Sequence, residues 1–389
     1  MYSPLTAEES QQRQVRRGLR DIVRTAGRVR LSLWQGSKLV RPSRALQISF
    51  VCLLLLSGAL LHALFNAFTI WMAIDPFDVL FASFPRERGI PSAANNVYSA
   101  NYFRSVLPVP CHSHNDYWRT TPLFAALGSG CVSVEADVWL RKGELYVSHT
   151  GLSLVEGNTL SNLYIQPLQQ ILHDMNTGQG PATKPAGVFH MNPAQSLTLV
   201  VDFKTASDPT LPALHAQLQP LRSGGWLTHW NGTARVERPV IVVASGAVDF
   251  DALTANATYR DVFFDAPLAA LADASDSATD FVASDGGGGY TTKYNPSNSH
   301  LASARLSDAV GPLRNGRLSA WQVRALQGQI LAARQRGLIP RYWGTPRWPR
   351  NLRDEIWAVL VREETGLLSV DDLRAVRKGH WGLWPQDGN

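Results

Sequence analysis

Two histidines lie close together near the start of the chain's globular part, beside an amide and an acid. His112, His114, Asn115 and Asp116 directly follow a short apolar run. A lone histidine after such a run is usually a packing residue, but four polar side chains in five positions leave little room for that explanation. Histidine exchanges protons near neutral pH, and an amide offers both a donor and an acceptor. The segment therefore predicts a site of acid–base chemistry.

An acidic pair occupies the next apolar run. Glu135 and Asp137 alternate with Val134, Ala136 and Val138, so the two acids share one face of a strand. Two carboxylates on an inward face repel each other and are costly to bury without a partner. A divalent cation resolves both problems, and oxygen ligands favour Mg²⁺, or else Ca²⁺, over Zn²⁺. The pair predicts one metal ion; the alternative is an acidic pair that faces solvent.

Two further segments bring polar groups towards this pair. The turn at 142–144 predicts a hairpin whose second strand places His149 beside Asp137. Asp202 and Lys204 alternate at the end of another apolar run, which suits one metal ligand and one phosphate contact; a salt bridge between them is the alternative. A metal ion and Lys204 would neutralise a phosphate, while one histidine activates the nucleophile and the other protonates the leaving oxygen. The set predicts cleavage of a phosphodiester.

These residues must be positioned by the strands that precede them. From about residue 106, short apolar runs alternate with amphipathic segments, which is typical of parallel strands joined by helices. The predicted strands are Val106–Cys111, Cys131–Leu140, Leu145–His149, Leu197–Lys204, Val240–Ser245, Val262–Phe264, Tyr290–Asn295, Leu338–Trp343 and Leu367–Val370. The predicted helices are Thr121–Leu127, Leu160–Asn176, Leu211–Leu221, Ala320–Arg336 and Asn351–Glu363. Eight parallel strands and one hairpin fit a single α/β (β/α)8 TIM barrel, whose sites lie at the carboxyl ends of its strands; a doubly wound sheet is the alternative.

The positive charge of the chain is confined to its N-terminal tail. Residues 1–46 hold nine Arg and one Lys against three acidic residues, so the tail carries +7 and the rest of the chain −1 of the total of +6. The folded part therefore has no overall charge that attracts nucleic acid. No Lys, Arg, Asp or Glu occurs from Ala45 to Ile74, and Phe50–Trp71 as a helix would span about 33 Å, enough to cross a bilayer. The basic side of such a span stays in the cytoplasm.

The predicted organisation has four parts: a basic cytoplasmic tail (1–46), a single transmembrane anchor (47–74), a stalk or strap (75–105) and the barrel (106–385). This topology places the barrel in a lumen or outside the cell, in an organelle that the sequence does not identify. The membrane and a phosphodiester or phospholipid substrate are the predicted partners. No feature predicts an oligomeric state.

The lumenal topology bears on two further features. Asn231-Gly232-Thr233 and Asn256-Ala257-Thr258 are glycosylation sequons.

An oxidising lumen permits a bridge between Cys111 and Cys131. However, the predicted strands place Cys111 at the carboxyl end of the first strand and Cys131 at the amino end of the second, roughly 13–20 Å apart along the strands, whereas a disulfide needs Cα atoms within about 7 Å. Both thiols are predicted to be free.

The polar segments resemble those of the phospholipase C-like phosphodiesterase superfamily, which includes glycerophosphodiester phosphodiesterases, phosphatidylinositol phospholipases C and sphingomyelinases D. The run 112–149 is similar to the fungal altered inheritance of mitochondria protein 6 family, and the similarity continues through 199–205 and 341–373. The resemblance implies a phospholipase C-like TIM barrel with catalytic His112 and His149, metal ligands Glu135, Asp137 and Asp202, and substrate contacts from Lys204, Asn115 and His114.

The sequence departs from the glycerophosphodiesterase pattern in two places. Ser113 stands where those enzymes have Arg after the first histidine, and no Glu-Asn-Thr motif precedes Glu135. Both departures argue against a glycerophosphodiester as the substrate. His112 and His114 are both candidates for proton transfer, with His112 favoured.

Two other functions compete with this hypothesis. His112 and His114 match the metal pair of a Zn²⁺-dependent amidohydrolase barrel, with Asp371 or Asp372 on the last strand as a further ligand. Alternatively, the barrel is a non-catalytic protein tethered to the membrane. Dependence on Mg²⁺ rather than Zn²⁺ separates the first two functions, and turnover of any phosphodiester excludes the third.

Overall fold

The computed structural model describes residues 44–73, 101–178, 184–273, 292–313 and 317–377, and the chain divides into two compact units after Ala73. The first unit contains helix α1, Arg44–Ala73. Its segment Gln47–Phe65 has a mean hydropathy of 2.3 and is not buried within the protein. The apolar helix predicted from the sequence is thus present, and its length and composition make it a candidate membrane span. The predicted tail lies almost wholly outside the described residues, as does most of the predicted stalk.

The second unit contains a closed barrel of parallel strands, one hairpin strand and a separate two-stranded sheet. Its described strands are β1 Val109–Ser113, β2 Cys131–Arg141, β3 Glu144–Val147, β4 Leu197–Phe203, β5 His229–Trp230, β6 Arg235–Val236, β7 Val240–Gly246, β8 Val262–Pro267, β9 Ser299–Arg305, β10 Ile339–Trp343 and β11 Leu367–Val370. Eight of them pair in parallel in the order β1, β2, β4, β7, β8, β9, β10, β11, and β11 returns to β1. Strand β3 pairs with β2 as the hairpin strand, and β5 and β6 form the separate sheet. A doubly wound sheet would have two free edges, so the closed order confirms the TIM barrel.

Helices cover the outside of the barrel. They are α2 Asn101–Arg104, α3 Phe124–Gly128, α4 Gln166–Asn176, α5 Ser207–Gln217, α6 Gln219–Ser223, α7 Phe250–Thr254, α8 Leu268–Asp273, α9 Leu306–Val310, α10 Ala320–Gln335, α11 Arg350–Arg362 and α12 Leu373–Arg377. The capping box of Ser319 and Gln322 fixes the start of α10, as its sequence favours.

The alternation of side chains along each strand separates two layers of core. Val134, Ala136 and Val138 of β2 belong to the large cluster between the strands and the helices. A smaller cluster fills the barrel interior and consists of Val200, Ile241, Val243, Phe263, Leu301 and Leu367. On β4, Val200 belongs to this interior cluster, and Asp202, two residues further on, shares its face. The interior thus changes from apolar to polar towards the carboxyl ends of the strands.

The first strand differs from its prediction, and with it the state of two cysteines. Strand β1 begins at Val109, which is in register with Cys131, and the β1–β2 register shifts before His112. Pro110 lacks the N–H that a regular ladder needs, which favours an irregularity there. Because His112 is in register with Ser133, Cys111 lies in mid-strand, only one residue past the level of Cys131. The two form a disulfide with a Cα–Cα distance of 4.7 Å, so the prediction of free thiols is wrong.

The ninth strand also lies elsewhere than predicted. The described part of Tyr290–Asn295 contains no strand, and β9 is Ser299–Arg305. Asn295 accepts hydrogen bonds from the backbone and hydroxyl of Ser297 and so forms a turn. The sequence of β9 contains one large apolar residue, Leu301, which explains why its pattern is weak.

Candidate active site

The strands bring all eight predicted site residues to one end of the barrel. His112 lies at the end of β1, Glu135 and Asp137 lie on β2, and Asp202 lies on β4. Asp137 and Asp202 are direct neighbours in the register of β2 and β4. The hairpin β2–β3 returns His149 to Asp137, as predicted from its turn.

Three carboxylates meet at the centre of this end. One oxygen each of Glu135, Asp137 and Asp202 lies within 4.8 Å of the other two. Oxygens that share one ion are at most about 4 Å apart around Mg²⁺ and about 5 Å apart around Ca²⁺. Oδ1 of Asp202 is buried and has no hydrogen-bond partner among the described residues. The three residues fit one divalent ion by number and chemistry. Their spacing lies within the limit for Ca²⁺, whereas Mg²⁺ requires oxygens closer together than 4.8 Å.

Burial and mutual repulsion shift the pKa values of these acids. Burial raises the pKa of Asp202 to about 6; Lys204 opposes this shift, and Asp137 and Glu135 add to it. The pKa of Asp137 is also raised, by burial and by Glu135. Burial alone would raise the pKa of Glu135, but the nearby imidazole of His112 and the cation Arg341 hold it well below its usual range.

Lys204 bridges two of the three acids. Its Nζ lies 3.0 Å from Oδ2 of Asp137 and 3.1 Å from Oδ2 of Asp202. The two carboxylates raise the pKa of Lys204 although burial lowers it. The salt bridge considered for Asp202 and Lys204 is therefore present. The Lys204 side chain is still one quarter exposed, so its ammonium remains accessible to an anion.

His112 is enclosed by protein on both sides of its ring. It is fully buried, with Nδ1 2.7 Å from Oγ of Ser133 and Nε2 2.6 Å from Nη1 of Arg341. A guanidinium only donates, so Nε2 accepts and the ring proton lies on Nδ1. Burial and Arg341 lower the pKa of His112 to about 4. His112 is a neutral residue of the barrel interior at neutral pH.

Arg341 is a buried cation next to Glu135, and no pattern in the sequence indicated that it belongs to the site. It is buried on β10, with Nη1 3.7 Å from Oε1 of Glu135 and Nη2 3.3 Å from Oδ2 of Asp265. Its Nε donates to Oγ of Ser303 at 2.9 Å. A lone Arg on an apolar strand is the one signal that marks it in the sequence, because such a charge is rarely buried without partners.

His114, in contrast, is partly exposed and held by an acid. Its Nδ1 lies 2.8 Å from Oδ1 of Asp371, which follows the last strand, and its Nε2 lies 3.7 Å from Oε2 of Glu135. Burial lowers the pKa of His114, but Asp371 and Glu135 raise it by more. The net result is a raised pKa. Arg347 holds the second oxygen of Asp371 at 2.8 Å. His114 thus has a fixed ring and a second nitrogen directed towards the acids.

The other accessible histidine lies on the far side of the acids. The side chain of His149 is half exposed, and its Nδ1 lies 3.3 Å from Oδ2 of Asp137 and 3.2 Å from the phenol oxygen of Tyr117. That phenol oxygen also lies 2.8 Å from Asp137 and 2.7 Å from Oδ1 of Asn115. Asn115 has φ 48, in the left-handed region that Asn tolerates, and its N–H donates to Glu135. Asn115 and Tyr117 therefore orient the acids.

The geometry disfavours a Zn²⁺ site of the amidohydrolase kind. Both ring nitrogens of His112 are engaged by Ser133 and Arg341, so neither can bind a metal. Asp372 pairs with Arg353 and accepts hydrogen bonds from the first turn of α12.

Comparison with known proteins identifies similar sequences. The family described as "AIM6-like phosphodiesterase domain" matches residues 100–265. The altered inheritance of mitochondria protein 6 homolog of Arthroderma benhamiae is 35% identical over 292 residues, covering 72% of this chain and 86% of that protein. The altered inheritance of mitochondria protein 6 of Eremothecium gossypii is 34% identical, covering 69% and 68%, and that of Saccharomyces cerevisiae is 32% identical, covering 69% and 70%.

One solved structure is similar in outline. It is the phosphatidylinositol-specific phospholipase C from Listeria monocytogenes, with a TM-score of 0.33 and 11% sequence identity, covering 73% of this chain and 91% of that chain. At this TM-score the likeness adds nothing to the fold, which rests on the closed strand order.

Proposed function

The chain belongs to the altered inheritance of mitochondria protein 6 family, and from this premise we propose that its barrel is a phosphoric diester hydrolase that uses one divalent cation. The observation that carries the proposal is the position of the acid cluster between two accessible histidines. His114 approaches Glu135 to 3.7 Å, and His149 approaches Asp137 to 3.3 Å. An acid cluster with a proton-transfer group on each side suits the cleavage of a P–O bond.

Each group of residues has a separate role in this reaction. Glu135, Asp137 and Asp202 hold the ion, which is Mg²⁺ or Ca²⁺; when bound, it neutralises phosphate charge and polarises the P–O bonds. Lys204 supplies a second positive charge beside it. Tyr117 and Asn115 keep the acids in position.

The two accessible histidines transfer the protons. His114 and His149 have ring nitrogens near the acids and partly exposed side chains, whereas His112 is fully buried and both of its ring nitrogens are engaged. One of the pair takes the proton of the attacking oxygen and the other gives a proton to the leaving oxygen. Asp371 fixes the ring of His114 and stabilises its protonated form.

The rim of the site favours a lipid as the substrate. Trp118, Leu152, Val155 and Trp348 lie on loops that follow β1, β3 and β10, and they are 54%, 100%, 54% and 63% exposed. Exposed apolar side chains grouped on one face are typical of surfaces that meet a partner or a membrane. Such a rim suits the apolar part of a lipid substrate.

The experiment that tests the function is a panel of phosphodiesters with the full chain in detergent. Phospholipids in mixed micelles and soluble glycerophosphodiesters are supplied with Mg²⁺, Ca²⁺ or Zn²⁺ and with a chelator. We expect turnover with Mg²⁺ or Ca²⁺, faster on phospholipids, and none with the chelator. Asp137→Asn should weaken ion binding, measured by calorimetry, and abolish turnover.

The matched control is Asp174→Asn. Asp174 is an exposed aspartate at the end of α4, and its substitution should leave ion affinity and turnover unchanged. Full ion affinity in Asp137→Asn would disprove the ligand set. No turnover of any member of the panel would favour the non-catalytic, membrane-tethered barrel.

A further inference from the structure

Two glycosylation sequons lie side by side on the barrel face opposite the candidate active site. Asn231-Gly232-Thr233 forms the turn between β5 and β6 ahead of β7, and Asn256-Ala257-Thr258 precedes β8. Segments that precede barrel strands lie at the amino-terminal face, whereas the candidate site lies at the carboxyl ends. An antiparallel bridge between Trp230 and Arg260 joins the two segments.

The two asparagines are exposed and share one local geometry. Oδ1 of Asn231 accepts from the N–H and the hydroxyl of Thr233 at 3.0 and 2.9 Å. Oδ1 of Asn256 accepts from the same two groups of Thr258 at 3.0 and 2.9 Å. Among the described residues, no hydrogen bond involves the Nδ2 atom of either asparagine. The oxygen of each amide therefore holds the turn, and the nitrogen, which would carry a sugar, is left for other chemistry.

Two independent features favour the compartment in which such sugars are added. The buried disulfide of Cys111 and Cys131 belongs in an oxidising compartment such as the lumen of the endoplasmic reticulum. The candidate span Gln47–Phe65 follows a basic tail, which places the barrel on the lumenal side.

We infer that Asn231 and Asn256 are both N-glycosylated. The co-substrate is an oligosaccharide linked to a lipid through a diphosphate. The bond from Nδ2 to the anomeric carbon forms as the bond from that carbon to the diphosphate oxygen breaks, and the proton of Nδ2 passes to a base of the transferase. Both glycans then cover the amino-terminal face of the barrel and leave the mouth of the candidate active site open.

The test uses the full chain expressed in yeast and recovered from membranes. Peptide:N-glycosidase F removes an N-linked glycan and leaves Asp in place of Asn. We expect digestion to increase the electrophoretic mobility, and the peptides that contain positions 231 and 256 to read Asp by mass spectrometry. Asn231→Gln and Asn256→Gln should each lose one of two mobility steps, and the double variant should lose both.

Matched variants at the third position of each sequon control this result. Thr233→Ser and Thr258→Ser preserve the sequons and should keep both steps, whereas Thr233→Ala and Thr258→Ala should each lose one. The transferase acts as the chain enters the lumen, so a variant that folds poorly still gives a readout. A wild-type chain whose mobility changes by one step, or not at all, would overturn the assignment.

Discussion

Two histidines that are two positions apart show how strongly surroundings decide the role of a side chain. His112 is fully buried between Ser133 and Arg341, whereas His114 is partly exposed and held by Asp371. A group that exchanges protons with a substrate must reach it. This requirement favours His114 for the proton-transfer role that the family resemblance implied for His112.

The first prediction separates the two histidines. His114→Ala should lower turnover by about 10²–10⁴-fold and leave the free energy of unfolding nearly unchanged. His112→Ala leaves Nη1 of Arg341 without its buried acceptor and should lower that free energy by about 1–3 kcal/mol. Steady-state rates and urea unfolding of the full chain in detergent measure both effects. An inactive His112→Ala variant with unchanged stability would return proton transfer to His112.

A third histidine, remote from the site, predicts how stability depends on pH. His300 is buried on β9, where Nη2 of Arg235 lies 3.0 Å from its Nδ1. Burial and Arg235 hold the pKa of His300 well below 6.5. The unfolded chain therefore binds a proton that the folded chain does not, and the free energy of unfolding falls as the pH drops below about 6.5.

The second prediction follows from this dependence. His300→Gln removes one such titrating group and should lessen the loss of stability from about pH 6.5 to pH 5, while His112, whose pKa is also lowered, keeps its share. Urea unfolding at several pH values, followed by tryptophan fluorescence, measures the slope. His173→Gln, at an exposed histidine on α4, is the control and should leave the slope unchanged. An unchanged slope in His300→Gln would show that His300 does not carry this effect.

At the scale of elements, the end of β7 leaves space for the candidate metal ligand Asp202 on the neighbouring strand. Gly246 has φ +71, and a Cβ there would lie 2.6 Å from the carbonyl oxygen of Phe203 and closer still to Oδ1 of Asp202. A side chain at this position would be strained and would also displace the carboxylate. The orientation of Asp202 thus depends on a residue of the next strand.

The third prediction tests that dependence. Gly246→Ala should lower the affinity for the ion, because the added methyl group displaces the carboxylate of Asp202. It should also lower the free energy of unfolding, because the positive φ is strained for alanine. Gly225→Ala is the matched control: Gly225 has φ +68 but open space around its Cβ, so only the backbone strain is introduced. Calorimetry with Mg²⁺ and Ca²⁺ compares the two variants. Equal ion affinity in both would show that Gly246 does not position the ligand.

The positions of site residues that depend on local periodicity could be predicted from the sequence. Alternation along β2 and β4 was enough to group Glu135, Asp137 and Asp202, and the hairpin turn was enough to place His149. The role of Arg341 was missed because its partner His112 is 229 positions away in the chain.

Two strand positions were predicted wrongly for related reasons. The register of β1 shifts between Val109 and His112, and no pattern within one strand reports its pairing with the next. Strand β9 has small and polar residues at most positions, so its period is hidden. In both cases the barrel, and not the local sequence, decides the conformation.

At the scale of the whole molecule, α1 and the barrel are separate units, and the candidate span predicts where the chain resides. The fourth prediction is that carbonate extraction leaves the full chain in the membrane pellet, because Gln47–Phe65 is uncharged and apolar. Removal of residues 1–75 should release the barrel into the soluble fraction. Full-length chain in the supernatant would rule out an anchor.

The buried Arg341 has a consequence for the candidate metal centre when it holds no ion. Together with Lys204 it supplies two fixed positive charges to a centre that holds three acids. Asp265 also contacts Arg341, so the two cations offset only part of the negative charge of an empty centre. We expect this partial compensation to let the barrel fold without an ion, unlike small domains that unfold when their metal is removed. We expect such a centre to load its ion after folding and to exchange it with the surrounding pool, so that the local concentration of the cation sets the occupied fraction.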